Sequence, residues 1–155
     1  MTVTRDPALA PFVSRSEYFG CLVFDRKNSD YIAFDHEASE IFQASLTKSL
    51  DEIYQSVADS TTRQSFDTFI QLCSSIGLFE NGVFQGASIN NAQDGLNLLT
   101  APIEVHLQAT RYSNLEQKHC WAGSGEPRPR ELTILEVKNL LDQMAELGVF
   151  KLRLD

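Results

Sequence analysis

A chain of 155 residues, 43% hydrophobic and 22% charged with a formal charge of −8, has the make-up of one ordinary folded domain or two small ones. Residues 1–90 carry six basic and twelve acidic groups and residues 91–155 seven and nine, the reverse of what phosphate neutralisation on nucleic acid asks of a leading domain. No apolar run nears the ~20 residues of a membrane span, Met1-Thr2-Val3-Thr4 opens no signal peptide, and the scattered Cys21, Cys73 and Cys120 make no disulfide framework, which fits a reducing cytoplasm.

Pro7 and Pro11 discourage regular structure in the lead-in. Two short β-rich runs follow, Tyr18–Phe24 and Tyr31–Phe34, joined by the polar turn Asp25–Asp30; a hairpin is the natural reading, with Phe12-Val13 adding a short strand before it. Three helices are then expected. Asp35 caps the first, which carries Ala38, Ile41 and Phe42 on one face. Ser49 and Glu52 form a capping box for the second, with Leu50, Ile53, Tyr54 and Val57. Thr61 and Gln64 form another for the third, ahead of Phe66, Phe69, Ile70, Cys73 and Ile76, and Gly77 stops it. Glu80–Phe84 reads as a wing or tight turn. The expected product is a small winged-helix-like domain over residues 1–84, with a hairpin or three-stranded sheet and three helices.

Residues 85–101, rich in Asn, Gln, Gly and Ser, read as a linker. Strict alternation then places Ile103, Val105, Leu107 and Ala109 on one face of a strand. Thr133 and Glu136 cap a helix striped with Val137, Leu140, Leu141, Met144 and Leu147, and Gly148 ends it before a last strand at Val149–Leu154. Residues 102–155 thus make one β-α-β unit, and the fold class is α+β.

Between its strand and helix lies Thr110-Arg111-Tyr112-Ser113-Asn114-Leu115-Glu116-Gln117-Lys118-His119-Cys120-Trp121. This resembles the cluster loop of radical SAM enzymes, where three cysteines spaced C-x3-C-x2-C hold a [4Fe-4S] cluster. The frame is present, yet the first two ligand positions are Ser113 and Gln117. Sulfide-bridged iron needs thiolates, and Cys120 alone does not hold a cluster. The resemblance implies that residues 102–155 are the first unit of a partial radical SAM barrel, ending at Asp155 before the glycine-rich motif that contacts S-adenosylmethionine. Loss of ligands and of that motif together favours a natural truncation.

The front half resembles the RiPP recognition element, a PqqD-like domain that guides ribosomally made precursor peptides to modifying enzymes; the likeness lies in Phe12–Gly20, Leu22–Asp25 and Ile76–Phe79. In that family a leader peptide adds as a strand to the small sheet and lies against the third helix. Here the resemblance places the leader on Tyr31, Ile32, Ala33 and Phe34. The apolar arc of the third helix spans roughly 160°, more than the ~100° a half-buried helix needs, so one margin is free for a groove. Phe66 and Ile70, flanked by Arg63 and Asp67, form the preferred margin, and Leu72 marks the other; the plain alternative is that all are core. The whole chain resembles small accessory proteins of radical SAM enzymes that splice a tyrosine-derived unit from a peptide.

Two strands and one helix leave apolar surface uncovered, and such patches mark interfaces. Either the unit packs on the first domain or it docks on another protein. Ile103, Val105, Leu107, Val137, Leu141 and Met144 are the expected partner surface, in a heterodimer with a radical SAM enzyme that carries both the [4Fe-4S] cluster and S-adenosylmethionine, although self-association would cover the same residues. No cofactor, metal or catalytic residue is expected on this chain, since His119 and Cys120 are adjacent and a poor chelating pair, and His36 and His106 have no evident catalytic partners. Two other readings remain: a radical SAM-type enzyme that completes its cluster site with a partner chain, and a winged-helix DNA-binding protein. Against the second, Arg63 is the sole basic residue on the helix that would enter the groove.

Overall fold

Short β-rich runs in the front half produce an antiparallel ladder of β1 (Phe12–Glu17), β2 (Gly20–Asp25) and β3 (Asp30–Phe34). The computed structural model describes residues 10–57, 60–89, 97–112, 125–127 and 129–154, which divide into two compact units, Met1–Thr100 and Ala101–Asp155. Gly20 is required where β2 starts: at φ 138° a Cβ there would collide with the carbonyl oxygens of Phe34 and Asp35.

The helices follow their caps. Asp35 Oδ1 accepts the Ala38 N–H at 2.9 Å and starts α1 (His36–Ser45). The Ser49–Glu52 box starts α2 (Leu50–Ser56), with Ser49 N–H donating to Glu52 Oε2 at 2.9 Å. Helix α3 (Ser60–Ser75) already includes Thr61, so the box expected at Thr61 and Gln64 does not mark its start. At its end Leu78 N–H reaches Cys73 O and Gly77 N–H reaches Ser74 O, a Schellman closure that Gly77 completes at φ 78°.

A tight hairpin through Asn81-Gly82 then joins β4 (Phe79–Glu80) to β5 (Val83–Phe84). The next strand corrects the expected linker. Gly86–Ile89 form β6, which runs parallel to β1 and makes the sheet four-stranded, in the order β3-β2-β1-β6. Its small residues hid it, for a purpose: a Cβ on Gly86 would come within 2.5 Å of Phe12 O.

Register sorts the sheet into two faces. Phe12, Cys21, Val23 and Phe34 point to the helices and meet Phe42 of α1, Cys73 of α3, Leu78, Phe79 and Phe84 in one core. The second face carries Val13, Arg15, Glu17, Leu22 and Phe24, all buried.

In the second unit β7 (Glu104–Leu107) pairs in parallel with β8 (Lys151–Leu154), and α4 (Ile134–Leu147) lies between them in sequence. Thr133 and Glu136 form the expected capping box, and Gly148 closes the helix at φ 80°. The architecture is α+β, as the sequence implies.

Candidate peptide-binding edge and groove

Among the described residues β3 pairs only with β2, so its far side is an edge. Which backbone groups face outward follows from one bond. Arg26, just past β2, donates its N–H to Pro11 O at 3.0 Å, so the even residues of β2 likewise address β1. In an antiparallel ladder alternate residues turn to opposite neighbours. Cys21, Val23 and Asp25 therefore address β3, and their register partners Phe34, Ile32 and Asp30 turn back to them. Tyr31 and Ala33 are left pointing outward. The Tyr31 N–H fits this, since it donates to Asp30 Oδ1 at 2.8 Å rather than to the ladder.

Beside this edge runs α3. Gln64, Ser65, Thr68, Phe69 and Leu72 line an open groove of about 480 Å³. Phe69 of α3 links the groove to β3, because its ring meets Phe34 edge-on at 5.2 Å. Leu72, in the last turn of α3, is 60% exposed. Edge and groove thus adjoin through one aromatic pair.

The expected site residues divide between roles. Ile32 and Phe34 face the core, while Tyr31 stacks on Phe24 at 5.0 Å across the second face. The preferred margin of α3 turns inward. Phe66 is only 4% exposed and packs on Tyr54 at 5.7 Å, and Ile70 packs against the core. Arg63 donates from Nε to Val57 O at 3.1 Å and sits over the Tyr54 ring. Asp67 is exposed on that side. The groove lies at the Leu72 margin instead, because α2 already occupies the margin of Phe66. Gln64, Ser65, Thr68 and Phe69 were not among the expected site residues; the excess width of the apolar arc was the available signal.

A second feature had no sequence signal. Arg15 and Glu17, two apart on β1, form an ion pair at 2.6 Å with both side chains fully buried. Glu17 Oε2 also accepts the Thr100 N–H at 2.8 Å, and the Thr100 hydroxyl donates to Ser16 O. This pins residue 100 to β1.

In the second unit Ile103, Val105, Leu107, Val137, Leu141 and Met144 are each half-buried. The most exposed apolar side chains lie at the start of α4, with Ile134 at 90% and Leu135 at 76%. The opposite strand faces are polar: Glu104 meets His106 at 3.2 Å and Lys151 at 3.4 Å, so His106 has a carboxylate partner, though an exposed one.

Within the stretch that resembles a cluster loop, residues 113–121, with Ser113, Gln117 and Cys120, lie outside the described residues. Their flanks meet, as Tyr112 bridges to Gly125 and Glu131 accepts from the Thr110 hydroxyl and the Arg111 N–H. A hydroxyl, a neutral amide and one thiol do not fit a [4Fe-4S] cluster. Among the described residues no group of three or more His, Cys, Asp or Glu is placed to hold a metal, and no helix is long and apolar enough to cross a membrane. Burial pushes the Cys21 thiol up to about 12 and the Cys73 thiol up to about 11. Both stay protonated and unreactive at neutral pH.

No protein-family model matches the sequence, and no curated protein matches it. Solved structures do match. SuiB of Streptococcus suis bound to S-adenosylmethionine superposes with a TM-score of 0.52 at 15% identity, over 93% of this chain and 34% of that one. SuiB bound to the precursor peptide SuiA gives 0.50 at 18% identity, again over 93% and 34%. The chain therefore spans about a third of the length of those structures. At such identities the likeness establishes the fold.

Proposed function

We propose that this chain is a non-catalytic recognition protein. It binds the leader region of a ribosomally made precursor peptide and presents it to a partner radical SAM enzyme, in a reaction such as the splicing of a tyrosine-derived unit. The observation that carries this reading is the open β3 edge lying against the α3 groove, joined through Phe34 and Phe69.

The chemistry is β-augmentation, in which an extended peptide takes its backbone bonds from the edge and its side-chain selection from pockets beside it. A peptide residue opposite Ala33 shares the face of Tyr31. Its two neighbours point the other way, past Ile32 and Phe34 toward Phe69 and Leu72. The fitting ligand has apolar residues at positions i and i+2. Each backbone bond adds about 0.5–1.5 kcal/mol net, and covering the rest of the Leu72 side chain adds about 1 kcal/mol.

Two further considerations support the reading. The fold is shared with SuiB, which one structure holds with its precursor peptide. The radical SAM-like loop lacks two thiolates, so the [4Fe-4S] cluster and S-adenosylmethionine belong to the partner. Ile134 and Leu135 then extend the partner surface of Ile103, Val105, Leu107, Val137, Leu141 and Met144. Holding the peptide on a docked subunit raises its effective concentration at the catalytic site without adding a catalytic group. A DNA-binding reading loses ground, because Arg63 is committed to Val57 and Tyr54.

Titration calorimetry with a synthetic precursor leader peptide tests the proposal. Leu72→Glu is expected to weaken binding by roughly tenfold, since a charge enters an apolar contact. Ala33→Pro removes only an outward N–H and weakens it similarly, with the fold intact by circular dichroism. Leader binding that neither variant disturbs places the site elsewhere.

A further inference from the structure

We propose that Asp30 is a gate on the β3 edge. Its carboxylate caps the Tyr31 N–H in the free protein and confines an incoming strand to the Ala33 end. The inference rests on the peptide-binding reading above and adds the register in which the peptide sits.

Only Tyr31 and Ala33 turn their backbone outward, by the alternation that Arg26 and Pro11 fix. The first already has an acceptor, Asp30 Oδ1 at 2.8 Å. At the far end, the Asp35 carboxylate is committed to Ala38 as the cap of α1. Between these two acidic residues Ala33 N–H is the outward donor with no partner among the described residues. A peptide carbonyl that displaced Asp30 would exchange a charge-assisted bond for a neutral one, which is about half as strong. Pairing at Tyr31 is thus a poor trade and pairing at Ala33 is a clear gain. The same cap leaves the free edge with fewer donors for a second copy, a common defence of exposed strands.

Amide hydrogen exchange of the full chain, followed residue by residue by NMR, reads the gate directly. In the free protein Tyr31 N–H is expected to exchange more slowly than Ala33 N–H. Asp30→Ala speeds Tyr31 by roughly fivefold, the equivalent of one hydrogen bond of about 1 kcal/mol. Asp30→Asn keeps an acceptor oxygen and restores slow exchange. The second arm uses a 12-residue peptide selected from a phage-displayed library on the immobilised chain. Bound to the unaltered protein it protects Ala33 and leaves Tyr31 as before; bound to Asp30→Ala it protects both.

Unchanged Tyr31 exchange in Asp30→Ala overturns the gate, whether or not any peptide binds. Equal protection of both amides in the unaltered protein overturns the register while leaving peptide binding standing. A selected peptide that protects neither amide removes the edge as the binding site, and the register with it.

Discussion

The two units use the same local grammar and end in opposite states of burial. A capping box opens α2 and another opens α4, and a left-handed glycine closes α3 and α4. Yet the first unit encloses Phe42, Cys73 and Leu78 completely, whereas α4 contains no buried residue. The difference is a matter of layers. Four strands and three helices cover one another, while two parallel strands and one helix have too few neighbours to do so. Caps and alternation decide which elements form, and the number of neighbours decides whether they stand alone.

The contrast breaks most readily at its centre. Phe42 touches the rings of Phe34, Phe79 and Phe84 and has no exposure. Phe42→Ala is expected to cost about 5 kcal/mol, the upper end for a buried aromatic, and to melt the first unit in urea at room temperature. Leu141→Ala on half-buried α4 costs about 1–2 kcal/mol, because its side chain leaves water only in part. Equal losses at the two sites would mean that the second unit has a closed core of its own.

The buried pair on β1 comes next. Arg15→Met leaves Glu17 enclosed without its cation and is expected to cost about 3 kcal/mol, the lower end for a broken buried pair. The Thr100 N–H still offers Glu17 one partner, which softens the loss. Adding Glu17→Leu to Arg15→Met recovers part of the stability, since no charge then remains buried. It does not recover all, as the Thr100 N–H loses its acceptor. A double variant less stable than the single one would show that the carboxylate stabilises the face independently of Arg15.

These cases show what the sequence carries and what it does not. Capped helices are legible because a cap is a local event: Ser49 with Glu52 and Thr133 with Glu136 meet within one turn. The hairpin of β2 and β3 is legible for the same reason, through its two β-rich runs and the polar turn between them. β6 is not, because Gly86-Ala87-Ser88-Ile89 is a strand only by virtue of lying beside β1, more than seventy residues earlier. The elements that frame the candidate site were only partly legible. The β3 edge was named through the family resemblance, and the choice between the two margins of α3 turned on where α2 packs, which no periodicity in α3 encodes. The burial of Arg15 and Glu17 was equally hidden, since a charged pair two apart on a strand normally reads as a solvated face.

The smallest expected effect separates the two capping boxes by their surroundings. Glu52 sits below its ordinary value of 4.5 because the Ser49 N–H donates to it, with the Ser49 hydroxyl and the nearby Lys48 charge adding to the effect. Glu136 is lowered in the same way by the Thr133 N–H and hydroxyl, with no lysine contributing. A carboxylate that ionises more readily folded than unfolded stabilises the fold fully above about pH 4.5 and loses that contribution as pH falls through its folded value. Helix content is therefore expected to drop modestly in acid, and Glu52→Gln with Glu136→Gln to flatten the drop. Salt distinguishes the two sites. At high ionic strength the Lys48 contribution is screened, so Glu52 moves back toward 4.5 in an NMR titration while Glu136, held by short bonds alone, keeps its place. A matching salt response at both would mean that long-range charge, rather than the box itself, sets both values.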